Sequence, residues 1–320
     1  MVRPIQVIIP QILPERKGLI MNAVDLFAGC GGLSLGFQKQ GFNIVAAFEW
    51  WAAAVNCYSA NFSHPVFQTD LSNVAASIKQ IQPFQPDIII GGPPCQDFSQ
   101  AGKRIEAGRA VLTDAYAEIV ATIRPKCFVM ENVDRARNSR AYAEARETFK
   151  KAGYGLTEVI LDASLCGTPQ KRKRFICFGM QGEQDGFASN EFMAGQASAP
   201  MTLRDYFGDT LGFEYYYRHP RNYSRRAVFS IDEPAPTMRG VNRPVPKGYP
   251  GHPNDACVVT GGLHALTTPE RALIQTFPAD FKWVGSKTDV EQMIGNAVPV
   301  NLAQYVAKIV NAFVEGKKCD

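Results

Sequence analysis

The stretch Asp25-Leu-Phe-Ala-Gly-Cys-Gly-Gly32 decides the fold, because it joins an apolar strand pattern at Ala23–Phe27 to a helical pattern at Leu33–Gln40. Its glycines allow the backbone to turn tightly between the two elements. A strand that leads through a glycine-rich turn into a helix is typical of the first unit of a doubly wound α/β sheet. We therefore expect these glycines to lie at the carboxyl end of the first strand.

The alternation of short apolar strands and helical patterns continues to about residue 180. The further predicted strands are Ile44–Phe48, Val66–Thr69, Asp87–Ile90, Cys127–Met130, Val159–Leu161 and Phe175–Phe178. The further predicted helices are Ala52–Ala60, Val74–Ile81, Ala115–Ile123 and Tyr142–Ala152. Most of these strands are nearly continuous apolar runs, as in strands that are covered on both faces. The pattern predicts an α/β fold with a doubly wound, mostly parallel sheet.

The composition is that of a globular protein, with 320 residues, 46% of them hydrophobic and 20% charged, and a net charge of +4. It excludes a disordered chain, and no apolar stretch approaches the ~20 residues that cross a bilayer. The eight cysteines contain no Cys-x-x-Cys pair and no His at ligand spacing, so we expect no metal site. Cys57, Cys127 and Cys177 lie in apolar runs, which is typical of a reducing compartment. We expect a cytoplasmic protein that does not associate with a membrane.

The chain length predicts about two domains, and the composition changes after Met180, where Gly, Ser, Pro and Asn become frequent. Helical patterns return only at Pro269–Phe277 and Asn301–Val314. The second domain is therefore predicted to be an insertion in the first. The expected parts are an N-terminal extension over residues 1–20, a first domain over 21–181, a small inserted domain over 182–265, and C-terminal helices over 266–320 that return to the first domain.

The segment Tyr215–Pro250 carries seven Lys and Arg residues against two acidic residues, interleaved with aromatic side chains. Such a mixture suits the phosphates and bases of a nucleic acid, although a solvated, loop-rich surface has a similar composition. The candidate nucleic-acid contacts in this segment are Arg221, Arg225, Arg226, Arg239 and Arg243.

The glycine-rich turn also predicts a ligand site. A helix that begins at Gly31 and Gly32 offers backbone N–H groups to an anion, and Glu49, 20 residues after Gly29, is placed to bind a ribose. These residues favour a cofactor that contains adenosine, but they do not distinguish NAD from S-adenosylmethionine. Asp70 follows a short strand, where it either binds the adenine amino group or caps the helix that follows.

The loop Gly91-Gly-Pro-Pro-Cys95-Gln-Asp-Phe-Ser99 follows the carboxyl end of another apolar strand. Ligands of open α/β sheets bind outside that edge. Two prolines fix the backbone before Cys95, which places its thiol at a defined position. We interpret Cys95 as a nucleophile and not as a core cysteine.

Two further groups follow apolar strands. Glu131-Asn-Val ends one strand, where the carboxyl group serves either as a helix cap or as an acid or base in the cleft. Gln170-Lys-Arg172-Lys-Arg174 places two arginines at i and i+2, on one face of an extended segment. Such a pair suits a clamp on a phosphate or a polarised oxygen, although a surface charge run has the same pattern.

The motifs DLFAGCGG, GGPPCQDFS, ENV, QKRKR, ERALIQTFPADF and GNAVPVNLA occur in this order from about residue 21 to the C-terminus. In this order they resemble the DNA (cytosine-5) methyltransferases of bacterial and phage restriction–modification systems. The resemblance implies a Rossmann-like, S-adenosylmethionine-dependent methyltransferase fold with a small inserted target-recognition domain. It also implies sequence-specific methylation of a flipped-out cytosine in double-stranded DNA.

The resemblance assigns roles to residues. Cys95 would attack C6 of cytosine, and Glu131 would bind N3 and the exocyclic amine and supply a proton. Arg174 would hold the cytosine carbonyl, with Arg172 as its supporting neighbour. The implied cofactor residues are Phe27, Gly29, Gly31, Gly32, Glu49, Trp50, Asp70, Pro94 and Asn296, and the implied DNA contacts next to the nucleophile are Gln96 and Ser99.

The expected partners are S-adenosyl-L-methionine and double-stranded DNA, with a cognate restriction endonuclease acting on the same site without direct contact. We expect a monomer. Three other functions fit parts of the sequence. They are a tRNA cytosine-5 methyltransferase, an NAD-dependent dehydrogenase supported only by the glycine loop and Glu49, and a DNA-binding module without catalysis. A Cys-Phe-Thr element expected of the tRNA enzymes is absent from the late region.

Overall fold

The computed structural model describes residues 20–94, 110–220, 222, 224–259 and 262–316. The predicted nucleophile Cys95, the DNA-contact candidates Gln96, Ser99 and Arg221, and nearly all of the N-terminal extension lie outside these residues.

The fold is built around a seven-stranded sheet in the order β3-β2-β1-β4-β5-β8-β6. The strands of the chain are β1 (Asn22–Leu26), β2 (Asn43–Glu49), β3 (Val66–Gln68), β4 (Ile88–Gly91), β5 (Cys127–Val133), β6 (Tyr154–Asp162), β7 (Gln170–Lys171), β8 (Lys173–Gln181), β9 (Tyr215–Tyr217), β10 (Val228–Ser230), β11 (Ala235–Pro236) and β12 (His264–Ala265). Neighbouring strands from β3 through β2, β1 and β4 to β5 pair in parallel, whereas β8 runs antiparallel to both β5 and β6. The predicted α/β fold with a mostly parallel sheet is confirmed.

Helices cover both faces of the sheet. The helices of the described residues are α1 (Gly32–Lys39), α2 (Ala52–Ser59), α3 (Val74–Ile81), α4 (Ala110–Ile123), α5 (Arg140–Lys151), α6 (Ser189–Ala194), α7 (Leu203–Phe207), α8 (Thr268–Ile274), α9 (Lys287–Asn296) and α10 (Val300–Val314). Ile88 and Ile90 pack into one core with α1 and α10, and Ile89 packs into the other with α3, α4 and α5. Because side chains alternate between faces, two buried faces require a continuous apolar strand.

The order of the strands positions the site. β1 lies between β2, which follows it in sequence, and β4, which comes later. The connection that leaves β1 runs toward β2, and the connection that leaves β4 runs the opposite way toward β5. A crevice therefore opens at the carboxyl ends of β1 and β4. The glycine-rich turn follows β1, and the loop of the predicted nucleophile follows β4.

The small domain contains a three-stranded sheet in the order β10-β9-β12 and its own apolar core. A separate two-stranded sheet pairs β11 with β7, which directly precedes β8 of the large sheet. Ala188 and Phe192 near α6 pack in the core of the large domain, although they belong to the predicted insert. The boundary at residue 182 therefore remains a prediction, and the segment that contains α6 packs with the large domain.

Among the described residues, Lys287–Val314 is long and apolar enough to cross a membrane by length and composition alone. It consists of helices α9 and α10, and 56% of an apolar 18-residue stretch within it is buried inside the protein. Val306, Ile309 and Val310 pack against the sheet, as expected of a core helix. The described part of the chain contains no disulfide and no group of His, Cys, Asp and Glu that could hold a metal ion.

Candidate active site

The glycine-rich turn has an unusual backbone. Phe27, Gly29 and Gly31 all have positive φ angles, of 57°, 57° and 95°. Phe27 carries a side chain in this strained region, where the hydrogen bond from the N–H of Ala28 to the carbonyl of Phe48 (3.2 Å) helps to hold the turn. Helix α1 then begins without a side-chain cap at Gly31. Its first N–H groups are therefore not satisfied by a capping side chain.

Glu49 connects this turn to the end of β2. One carboxylate oxygen accepts from the N–H of Gly29 and the other from the N–H of Trp51, both at 2.8 Å. Each oxygen retains a further lone pair for a ligand. Trp50, which lies between Glu49 and Trp51 in the sequence, is 66% exposed. The structure thus places Glu49, Trp50 and the glycine turn together, and their role in binding a ribose remains a prediction.

A buried polar chain starts behind the turn at Asp25. Its Oδ2 accepts from the hydroxyl of Ser34 (2.6 Å), which also lies 2.6 Å from the hydroxyl of Tyr58, and Tyr58 lies 2.7 Å from His64. Asp25 is 1% exposed, and its Oδ1 has no hydrogen-bond partner. Burial, and to a lesser degree the nearby Glu49, raises the pKa of Asp25 to about 7. No sequence pattern indicated a role for this side chain.

The raised pKa predicts a stability change with pH. An unfolded Asp loses its proton near 3.8, whereas folded Asp25 keeps it to about 7, so the free energy of unfolding should fall as pH rises through this window. Asp25→Asn cannot ionise, and its amide still accepts from Ser34. Denaturant unfolding at about pH 5 and about pH 8 should therefore show the variant gaining about 2.5 kcal/mol relative to the wild type. An equal difference at both pH values would contradict the assignment.

Asp70 is exposed and accepts from the N–H of Ser72 at 3.0 Å. The alternative that Asp70 caps the following helix is wrong, because α3 is capped by Asn73, whose side chain accepts from the N–H of Ala76. An Asx-type turn at Asp70 precedes that cap. Its role in binding adenine remains a prediction.

The turn after β4 is fixed from the neighbouring strand. The side-chain amide of Asn132 donates to the carbonyl of Pro93 at 2.9 Å, and its oxygen accepts from the N–H of Val133 at 2.8 Å. Pro93 is buried and Pro94 is exposed, directly before Cys95. Asn132 therefore positions the turn after β4, a role that no sequence pattern indicated.

Glu131 lies beside this turn and is 8% exposed. The Nε of Arg174 donates to its Oε1 at 2.7 Å, and both side chains are 11% exposed. A Cβ atom built on Gly92 would lie 3.0 Å from Oε2, so the backbone that follows β4 passes close to the carboxylate. Burial raises the pKa of Glu131, against the opposing effect of Arg174 and Arg172. The geometry places an oriented carboxyl group, able to hold a proton above its usual pH range, beside Gly92, which directly follows β4.

Arg172 occupies a different environment from Arg174. It is 2% exposed, and its guanidinium donates to the carbonyls of Met238 (3.0 Å), Gly295 (2.9 Å) and Ala297 (3.0 Å). The sequence left two interpretations of this pair open, a clamp on a phosphate or a polarised oxygen and a surface charge run. The structure instead has Arg174 on the carboxylate and Arg172 in a junction between the small domain and the end of α9, because the three carbonyls take its donors.

Asn296 lies at the end of α9, is exposed, and accepts from the amide of Gln292 at 2.8 Å. The segment after it reaches the glycine turn, since a Cβ atom on Gly32 would lie 2.3 Å from the carbonyl oxygen of Val298. The C-terminal motif therefore packs against the start of α1. Its predicted role in closing the cofactor pocket stays a prediction.

The arginine candidates for DNA contact differ in their surroundings. Arg225 and Arg243 are exposed. Arg226 forms an ion pair with Glu233 and lies 4.3 Å from the ring centre of Phe229, and Arg239 donates to the carbonyl of His219 at 2.5 Å. Two of the four described candidates are therefore engaged within the small domain.

The sequence matches the family described as C-5 cytosine-specific DNA methylase over residues 21–312. The Type II methyltransferase M.HindV of Haemophilus influenzae is 54% identical over 295 residues, which are 92% of this chain and 97% of that protein. M.HgiDI of Herpetosiphon aurantiacus, also a Type II methyltransferase, is 52% identical over 295 residues, with 92% and 95% covered. The solved structure of S. pombe Dnmt2 methyltransferase has a TM-score of 0.67 at 18% identity, covers 93% of this chain and 99% of that chain, and shows likeness of fold alone.

Proposed function

This chain belongs to the C-5 cytosine-specific DNA methylases and is a DNA (cytosine-5) methyltransferase, and we propose that Cys95, Glu131 and Arg174 carry out the reaction. The observation that carries the proposal is the buried Glu131 held by Arg174 at 2.7 Å beside Gly92, which directly follows β4. The relatives above are Type II methyltransferases, which supports sequence-specific methylation of double-stranded DNA within a restriction–modification system.

S-Adenosyl-L-methionine is the proposed methyl donor, and the residues of the crevice fit it. An uncapped helix start at Gly31 suits a carboxylate, and the lone pairs left on Glu49 suit ribose hydroxyls. Buried Asp25 has an unpartnered oxygen behind the turn, and a cationic ligand would favour its ionised form. Phe27, Trp50 and Asp70 are proposed for the adenine side, and Pro94 and Asn296 for the methionine side. When bound, the cofactor supplies an electrophilic methyl group on a sulfonium.

The protein must first make C5 of cytosine nucleophilic. The target base leaves the duplex, and the Cys95 thiolate adds to C6, which turns the ring into an enamine. Glu131 delivers a proton to N3 as the S–C6 bond forms, so that no negative charge builds up on the ring. Arg174 fixes the Glu131 carboxyl and is proposed to bind the cytosine carbonyl. Once C5 is methylated, loss of its proton and breakage of the S–C6 bond restore the aromatic ring.

The remaining partners follow from this reaction. A cognate restriction endonuclease would act on the same DNA site without touching this protein, and a monomer is sufficient for the chemistry because one chain contributes the whole proposed residue set. Since the substrate is DNA, we place the enzyme inside the cell. A tRNA substrate is the weaker alternative, because the two relatives more than half identical over 92% of the chain are Type II methyltransferases.

The test uses the purified full chain, S-adenosylmethionine, and either plasmid DNA or unmodified tRNA. Bisulfite sequencing should locate 5-methylcytosine at one short, recurring sequence in the plasmid, and tRNA should remain unmodified. Methylation of tRNA alone would overturn the DNA substrate. Methylation on an exocyclic amine instead of C5 would overturn the proposed chemistry.

The arginines of the small domain give a paired prediction. Arg225 is exposed, so Arg225→Gln should weaken binding to every duplex and lower the slope of log affinity against log salt by about one. Arg226→Gln should mainly lower the melting temperature, because it removes the ion pair with Glu233 and the contact with Phe229. Salt titrations of binding and thermal melts of both variants separate the two effects. The reverse pattern would contradict this assignment.

A further inference from the structure

Resting on the proposed function, we propose that Val241 reads the DNA target by contacting the 5-methyl group of a pyrimidine in the major groove. Val241 is a large apolar side chain that is 53% exposed. It lies between Arg239 and Arg243, in the basic segment Tyr215–Pro250. A valine surrounded by basic residues on a DNA-binding domain offers a base edge an apolar contact, for which a pyrimidine methyl group is the partner.

The backbone before Val241 is held rigidly. The N–H of Met238 donates to Oε1 of Gln170 at 2.9 Å, and its carbonyl accepts from Arg172 at 3.0 Å. The carbonyl of Arg239 accepts from the buried guanidinium of Arg271. These donors and acceptors belong to the large domain or its returning helix. The reading segment is therefore fixed to the catalytic framework and not only to its own small domain.

The backbone at and after Val241 is fixed as well. A Cβ atom on Gly295 would lie 2.1 Å from the nitrogen of Gly240, so α9 and this segment touch backbone to backbone. The amide of Asn242 donates to the carbonyl of Leu266 at 2.9 Å and to buried Glu291 at 3.1 Å. Between these attachments the side chain of Val241 alone remains exposed. A rigid backbone with an outward apolar side chain is the arrangement that direct readout requires, because an ordered contact discriminates between bases.

The neighbouring surface is suited to the DNA backbone. A cleft of about 400 Å³ beside Val241 is lined by Asn242, Arg243, Thr267, Thr268 and Lys287, among others. Among the described residues, neither Arg243 nor Lys287 forms an ion pair. Two available cations at the rim favour a phosphate there, which would hold the duplex over Val241.

Arg172 lies between the segment of Val241 and the proposed catalytic residues. This guanidinium holds the carbonyls of Met238 and Gly295, and its charge acts on Glu131. Arg172 therefore joins the backbone before Val241 to the end of α9, close enough to Glu131 for its charge to act on that carboxylate.

The test compares Val241→Ala with Val284→Ala as a matched control. Val284 is an exposed valine (39%) in the segment of Lys282, which bonds to Asn61 next to α2 and not to the small domain. Bisulfite mapping first gives the wild-type target. Methylation rates are then measured on that target and on duplexes with each single base pair changed. In Val241→Ala, the ratio of methylation rates between the target and the changed duplex should fall about tenfold at one base position and stay unchanged at the others. Val284→Ala should have the wild-type ratio at every position.

The role of the methyl group is tested with duplexes that differ only in the 5-methyl group at that base position. Uracil replaces a thymine, or 5-methylcytosine replaces a cytosine, on either strand. The wild type should respond about tenfold to the methyl group, and Val241→Ala should not respond. Unchanged discrimination in Val241→Ala, a uniform loss at all positions, or a wild type indifferent to the methyl group would each overturn the proposal. Absence of any methylation by the wild type would instead overturn the proposed function.

Discussion

Wild-type protein incubated with S-adenosylmethionine and a duplex that carries 5-fluorocytosine at the target should form a protein–DNA complex that survives denaturation, and Cys95→Ser should form none. The Cys95 sulfur bonds to C6, and C5 accepts the methyl group. Normal release then requires the C5 substituent to depart as a cation, which a proton can do and fluorine cannot. The S–C6 bond therefore persists, and the complex accumulates.

Serine cannot replace the thiol, because its hydroxyl lacks both the thiolate population and the nucleophilicity needed to attack the ring. Methylation of ordinary cytosine by Cys95→Ser should fall below detection. The control is Cys257→Ser, which alters a partly exposed cysteine of the small domain and should trap DNA as well as the wild type does. Trapping by Cys95→Ser, or turnover by the wild type without trapping, would show that Cys95 is not the nucleophile.

Glu131→Gln should lower the methylation rate by about 10²- to 10⁴-fold while cofactor binding stays within about twofold of the wild type. The amide still accepts from Arg174 and can hold the base, but it cannot deliver a proton to N3. Burial raises the pKa of Glu131, so its acid form persists to higher pH than that of an exposed glutamate. The loss should therefore appear in the single-turnover rate of the chemical step and not in DNA affinity.

Glu158→Gln is the matched control for this variant. Glu158 is also a partly buried glutamate paired with an arginine, since Arg146 lies 3.1 Å from it, but it lies on β6 near the far edge of the sheet. Its replacement should reduce thermal stability and leave the single-turnover rate within about twofold of the wild type. Equal losses in the two variants would mean that Glu131 acts by holding the fold and not by proton transfer.

The large sheet was predictable because its physical cause is local. Strands buried on both faces must be continuous apolar runs, and Ile88, Ile89 and Ile90 pack alternately into the two cores as that rule requires. The glycine turn and Glu49 were equally readable, since the tight turn and the carboxylate at the next strand end are separated by one βα unit. The short strands of the small domain, such as β11 and β12, each have two residues, too few for any period to be visible.

The direction of β8 and the place of Arg172 could not be read from the sequence. An apolar run looks the same in either direction, so the antiparallel pairing of β8 with β5 was decided by the path of the chain through the fold. Asn132 and Arg172 carry no pattern that distinguishes them from surface polar residues, and their partners lie 39, 66 and 123 residues away. The sequence by itself determined which residues are chemically able to act, whereas the tertiary structure decided which of them meet, because a hydrogen bond depends on positions in space and not on spacing along the chain.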